Sequence, residues 1–374
     1  MNKFNIYLNC ILQILFVIIF LSTLNAKNFD RFYKSNLISD YFTGILLLNE
    51  NKYDESNRFL RNLNGLEDNH LNFSKKYLYS LVNSGQINEA FGYSKKLEKK
   101  GLDNFESDLI SGIFYIKRKK YNLAEKYFLK IKKRNSNFLL NDFLSDSLLN
   151  WSRLSNLDLE VAQRNIQEMD SKLGNIKEIQ KVFLHCFYQS KKTDFLFNKL
   201  VLNNKIDFSR YNYFYASYVA STGKIKNAKE IVNSSLKLYP RNLLLNQYKI
   251  DLNSNKNIFA FNCKKEEHVI AEILYITANA LSSQSIYSLS NFYLNLAKYL
   301  NENFHSYDTL IAENFYKTGN FEKAKIIYNN LSKNGDAFHW YSSKQLARIF
   351  IKNEDKNEAL ELLKRSYNNL KNKE

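Results

Sequence analysis

Apolar residues recur at helical spacing along most of the chain, in paired runs separated by short polar turns. Three turn-to-helix segments set the register: Tyr53-Asp54-Glu55-Ser56, Ile87-Asn88-Glu89-Ala90 and Tyr121-Asn122-Leu123-Ala124. Their last residues, 56, 90 and 124, are 34 apart each time. The third unit is the fullest, with Gly112, Tyr115, Tyr121, Ala124 and Phe128. Later units carry Ala216, Val219, Gly223, Ala228 and Val232, then Ala312, Phe315, Gly319, Phe321, Ala324 and Tyr328, then Ala347, Phe350, Ala359 and Leu363. The middle is less regular. Residues 141–154 with 158–169, and 177–189 with 194–202, read as divergent helix pairs. Residues 243–252 read as a single helix, 253–262 as a break, and 266–281 with 286–301 as two long helices.

This pattern predicts antiparallel two-helix units. A small residue on the first helix faces one on the second, because a bulky side chain there would overpack the contact by about 1–3 kcal/mol. Gly85, Gly223 and Gly319 fall where the first helix ends and a left-handed cap is common. Aromatic residues fill the wedge between units, which accounts for much of the 28 Phe and 26 Tyr. One unit cannot bury its own apolar face, so the units must stack. A 34-residue period with this order of small and aromatic positions resembles the tetratricopeptide-repeat (TPR) family, over most of the chain after about residue 36. Pro240, the sole proline, closes its unit where that family places one. The general layout is also similar to that of long exported TPR proteins of alphaproteobacteria. The resemblance implies an all-α fold, a right-handed α-solenoid of helix-turn-helix repeats. The expected organisation is a leader at 1–26, a linker at 27–36, a first array at 37–253, an irregular break at 254–264 and a second array at 265–374. The break is expected as a kink, and the last helix, 356–370, as an apolar face in want of a cap or partner.

The first residues differ. Lys3 precedes an apolar run from Ile11 to Leu24, and Ala26 precedes a charged stretch. That is the layout of a secretory signal peptide, with an uncleaved anchor and a buried helix as the other readings. The leading expectation is a periplasmic body, held at the inner membrane if the signal stays. Cys10 lies before the run, so it is no lipoprotein cysteine. Cys186 and Cys263 lie far apart in the array and are expected as buried free thiols rather than a disulfide scaffold.

Charge changes the picture little at this level. The net +17 comes from Lys far more than Arg, spread along the chain, whereas base readout and bidentate phosphate contacts favour Arg. No nucleic-acid partner is expected; association with anionic lipid or cell-wall polymer is. No catalytic, cofactor or metal site is expected either. No HExxH spacing occurs, and Cys263 with His268 is a lone pair. Ser221-Thr222-Gly223-Lys224 lacks the earlier glycine and the following hydroxyl of a phosphate loop. Glu55-Ser56 and Glu106-Ser107 sit inside repeat helices.

The family resemblance implies a binding site on the concave face of the first helices. The residues it places there are Tyr41, Asn49, Lys75, Tyr79, Asn83, Lys117, Arg210, Tyr213, Glu313, Tyr316, Lys317, Lys344 and Arg348. Their Tyr, Lys, Asn and Arg suit a protein or peptide with acidic groups. The Lys/Asn clamp of chaperone-binding TPR domains is not reproduced. The expected function is a non-enzymatic scaffold or adaptor of the cell envelope. The alternative is a periplasmic polymer-binding or enzyme-accessory module for peptidoglycan or an anionic polysaccharide.

Overall fold

The computed structural model describes residues 35–134, 139–202, 209–256 and 260–370. The signal-peptide reading of residues 1–26 lies outside them. The described residues form nineteen α-helices and no strand. The helices run α1 Ser35–Asn49, α2 Tyr53–Leu60, α3 Leu71–Asn83, α4 Ile87–Lys99, α5 Phe105–Lys117, α6 Tyr121–Lys133 and α7 Leu139–Ser152. They continue with α8 Leu159–Gln167, α9 Gly174–Phe187, α10 Thr193–Val201, α11 Ser209–Ser221, α12 Ile225–Leu238 and α13 Leu243–Asn253. After the break come α14 Glu266–Ser283, α15 Tyr287–Leu300, α16 Ser306–Lys317, α17 Phe321–Leu331, α18 Asp336–Lys352 and α19 Lys356–Asn368. Consecutive helices pair as hairpins, α13 excepted, and the hairpins stack in an all-α, TPR-like solenoid.

The small residues do what their spacing predicts. Ser56 Oγ donates to the Gly44 carbonyl at 2.8 Å, and Ser290 Oγ to the Ala278 carbonyl at 2.8 Å. In both hairpins the partners are twelve residues apart, so α14–α15 is built like α1–α2. Ala90, Ala124, Ala162, Ala228 and Ala324 at equivalent places are wholly buried. Gly112 adds a detail. A Cβ there would run into the Phe128 ring, so this glycine makes room for an aromatic side chain besides facing Ala124.

The turns carry the period more fully than the glycines do. Asn51, Gly85 and Lys119 each end a first helix with positive φ, 34 residues apart. Gln189 and Gly223, and Ser285 and Gly319, repeat that interval, and Glu354 closes the last hairpin turn. Non-glycine residues hold several of these positions at a cost of roughly 1–2 kcal/mol for the left-handed conformation. Only the glycine turns were visible in the sequence.

The second array folds back on the first. Helices α14 and α15 pack into the concave face formed by α3, α5 and α7. Phe292, Leu294 and Leu296 of α15 are fully buried, and each such side chain contributes about 1.5–3 kcal/mol. Helix α13 lacks a hairpin partner of its own and packs on α18. There the Ala337 amide donates to Gln247 Oε1 at 3.1 Å, and Gly335 lies against the same side chain.

The break is the link that brings this about. Phe261 is buried with its ring 4.2 Å from Phe214 and 5.3 Å from Phe183, centroid to centroid. Beside it, Cys186 at the end of α9 and Cys263 form a disulfide with Cα atoms 5.9 Å apart. The expectation of free thiols is therefore corrected. Their separation of 77 residues concealed that the chain doubles back between them.

Candidate functional site

The thirteen concave-face residues divide between two surfaces. On the first array, Tyr41 lies at the rim, its hydroxyl 2.8 Å from His70 Nε2. Asn49, Lys75 and Tyr79 line a cavity of about 490 Å³ with Leu48, Asn72 and Ser288. Lys75 Nζ lies 2.9 Å from Glu106 Oε1, and the Tyr79 hydroxyl donates to the same oxygen at 3.0 Å. Burial, with the Glu106 charge beside it, keeps the Tyr79 phenol protonated far above its ordinary range. The Tyr79 ring meets Phe292 of α15 edge-on at 4.8 Å.

Further along, the same face is closed. Asn83 Nδ2 donates to the Ser288 carbonyl at 3.4 Å, and its Oδ1 accepts from Asn295 at 3.3 Å. Lys117 Nζ pairs with Glu302 at 2.8 Å. Arg210 grips Glu272 of α14 with two bonds of 2.7 Å and donates to Ser306 Oγ at 2.5 Å. Its guanidinium lies 3.7 Å from the centre of the Tyr275 ring. Tyr213 is 4% exposed, between Tyr248 and Phe304. The reading of Arg210 and Tyr213 as partner contacts is corrected: both are interior residues, and with Asn83 and Lys117 they hold the chain's own second array. Their polar and aromatic chemistry suits a ligand because they already have one.

The remaining residues lie on α16 and α18 of the second array, where α13 packs beside α18. Arg348 stacks 4.4 Å over Tyr316 and lies 3.6 Å from Glu313, which also accepts from the Tyr328 hydroxyl at 3.4 Å. Lys317 sits over Tyr287 at 5.7 Å, and Lys344 over Trp340 at 5.7 Å. Neither lysine forms an ion pair among the described residues. Trp340, Lys344 and Arg348 follow one another at four-residue spacing, which puts them on one stripe of α18. Trp340 was missed at the sequence level, although that spacing and its tryptophan were there to be read. With Arg241, Leu243, Tyr341, Lys344 and Tyr367 it lines a cavity of about 370 Å³ where α18 and α19 meet α13.

The pair Cys263 and His268 is otherwise engaged. Cys263 is in the disulfide, and His268 Nδ1 accepts from the Asn262 amide at 3.0 Å. Among the described residues no group of three or more His, Cys, Asp or Glu could hold a metal ion, and no helix is long and apolar enough to cross a membrane.

No protein-family model and no curated protein matches the chain. Among solved structures, it is similar to the crystal structure of the P58(IPK) TPR domain at 13% identity, with a TM-score of 0.27 and coverage of 90% of this chain and 93% of that one. Yeast Tom70 aligns at 14% identity, with a TM-score of 0.24 and coverage of 90% and 92%. A human IFIT1 dimer with PPP-AAAA aligns at 13% identity, with a TM-score of 0.27 and coverage of 91% and 92%. Scores this low carry no functional argument. The TPR-like reading of the fold rests on the hairpins, their small-residue contacts and their 34-residue turns.

Proposed function

We propose that the protein is a non-enzymatic interaction scaffold that binds a peptide or partner protein on the concave face of its second array. One observation carries this reading. The first concave face holds α14 and α15, whereas the second, which meets α13 along α18, leaves Lys344 and Arg348 exposed and Tyr316 and Trp340 partly exposed. Aromatic rings beside cations suit a segment with apolar and acidic side chains.

We place this scaffold in the cell envelope, in keeping with its likeness in layout to exported alphaproteobacterial TPR proteins. Two features support it: the leader-like run 11–24 and the disulfide, a bond that persists in oxidising compartments.

The test is site-specific photo-crosslinking in cells. A photoreactive residue at Trp340 is expected to capture a discrete partner, and the same residue at Tyr79 to capture none. Lys344→Ala with Arg348→Ala should abolish the Trp340 product. Capture at Tyr79 alone would place binding on the first face and end this reading. Fractionation with amino-terminal analysis tests the envelope assignment separately. A reduced, unprocessed chain in the cytoplasm would remove it.

A further inference from the structure

The positive charge is distributed unevenly. Residues 172–265 contain seventeen Lys and Arg against five Asp and Glu, a net +12 of the chain's +17. Lysines occur throughout the chain; acids are what this segment lacks. Elsewhere the cations sit in ion pairs such as Lys100 with Glu67, Lys130 with Glu98 and Arg134 with Asp108. Within 172–265, the ion pair present among the described residues is the interior one of Arg210 with Glu272. The local field is felt by His185, whose pKa is lowered first by burial and then by Lys181 and Lys192.

These charges stand on the outside of the solenoid. Helices α10 and α12 are the second helices of consecutive hairpins, each with one face buried against its neighbours and the other exposed. Along α10 and its flanks, Lys191, Phe195, Lys199 and Leu202 fall at spacings of four, four and three residues, one stripe of a helix. All four are exposed, Phe195 at 66% and Leu202 at 64%. On α12, Lys226 and Lys237 are exposed, together with Leu238 at 74%. Leu202 follows the last residue of α10 and Leu238 is the last residue of α12, so both lie at the carboxy-terminal ends of consecutive second helices. What sets this surface apart is large apolar side chains set among lysines that form no ion pair among the described residues. They match an interface where lysines meet anionic headgroups and apolar side chains enter the headgroup–acyl boundary.

We propose that the exposed face of α10 and α12 docks on an anionic lipid surface, with Phe195, Leu202 and Leu238 as the inserted side chains. Nucleic acid fits less well: Arg241 is the one exposed arginine among the described residues of this segment, and the apolar side chains would have no role. The proposal is independent of the peptide-binding reading, because it uses different hairpins. If both hold, the protein presents a bound partner at the membrane on which it lies.

The experiment is vesicle flotation with the full chain. Neutral phosphatidylcholine vesicles are compared with vesicles containing about 30 mol % phosphatidylglycerol. Binding is expected to be at least about tenfold tighter to the anionic vesicles and to weaken steeply between about 0.1 and 0.5 M salt. Lys192→Gln, Lys199→Gln, Lys226→Gln and Lys237→Gln together should lower it by about tenfold or more. Phe195→Ser with Leu238→Ser should lower it at unchanged charge, and Lys356→Gln with Lys364→Gln on α19 should leave it unaltered. Residues 1–34 are common to every variant, so differences between variants do not arise there. Circular dichroism checks that these surface substitutions leave the fold intact. Equal binding to both vesicle types, or an unaffected lysine variant, overturns the proposal. So does binding to single-stranded RNA or dextran sulfate that is as tight as to vesicles and indifferent to the Phe195 and Leu238 substitutions; the face would then serve a soluble polyanion.

Discussion

The two concave faces are made by the same rules and used differently. Both are lined by first helices carrying Tyr, Asn, Lys and Arg. The face of α3, α5 and α7 holds the α14–α15 hairpin; among the described residues that of α16 and α18 meets α13 along one side and holds no hairpin. The difference lies in what the chain does after α13. A regular array would place a second helix there. Here the chain continues without one, with Phe261 buried between α9 and α11 and Cys263 bonded to Cys186. The next hairpin is thereby delivered into the first groove. A groove lined with suitable side chains is thus insufficient ground for a binding site; the chain's own later repeats compete for it, at the high effective concentration of a tethered segment.

The largest effect is expected where the two arrays share a buried charge. Arg210→Ala leaves Glu272 uncompensated in a fully buried setting and should destabilise the chain by about 3–5 kcal/mol. It should also loosen the hairpin from the first face, so limited proteolysis should cut near 254–265 sooner. Arg210→Met combined with Glu272→Leu should recover most of the loss in urea denaturation, because an apolar pair needs no charge partner. If the double variant is as unstable as the single one, the ion pair is not what couples the faces.

That coupling also marks how far the sequence could be read. The period, the small-residue contacts and the helix pairs of the divergent middle were legible, since each follows from local spacing. The occupant of the first groove was not. Tyr79, Asn83, Lys117 and Arg210 are the residue types that a ligand would also require, and no local pattern says whether the ligand is internal. One sign was present. The run Ser290–Leu300 is apolar on more than one face, with Phe292, Tyr293, Leu294, Leu296 and Ala297 all buried, as expected of a helix packed on several sides. The disulfide escaped for the same reason: contacts far apart in sequence depend on the turn the chain takes at the break.

A smaller effect should appear on mild acidification. His268, at the start of α14, has its pKa lowered to about 4, first by burial and then by Lys265 and Lys117. In the unfolded chain it titrates near 6.5. The folded form refuses the proton that the unfolded chain accepts, so stability is fully present above about pH 6.5 and is lost as pH falls toward about 4. The loss should reach about 2–3 kcal/mol. Glu67 and Glu98, both lowered to about 2 by lysine partners that outweigh their burial, act in a lower window, from about 4.5 to 2. Urea denaturation at intervals from pH 7.5 to pH 4.5 reads the histidine window, which His185 shares, and His268→Gln should reduce the slope. An unchanged slope would mean that the entry to the hairpin is not the acid-sensitive point of the first face.

The smallest expected effect asks whether the two faces belong to one cooperative unit. Lys119 in the first array and Glu354 in the second hold equivalent turns at φ +56° and +68°, both exposed. Lys119→Gly and Glu354→Gly each remove left-handed strain of roughly 1–2 kcal/mol, against the greater freedom that glycine has in the unfolded chain, for a net gain of about 0.5–1 kcal/mol. The backbone rule is the same in both arrays, so the local gain should be the same. The melting curve separates the alternatives. If the hairpin in the first groove binds the arrays into one unit, each variant raises a single transition and the two gains add. If Glu354→Gly moves a later or earlier step that Lys119→Gly leaves in place, the arrays unfold apart, and the filled face is then a docking contact that can open rather than a permanent part of the core.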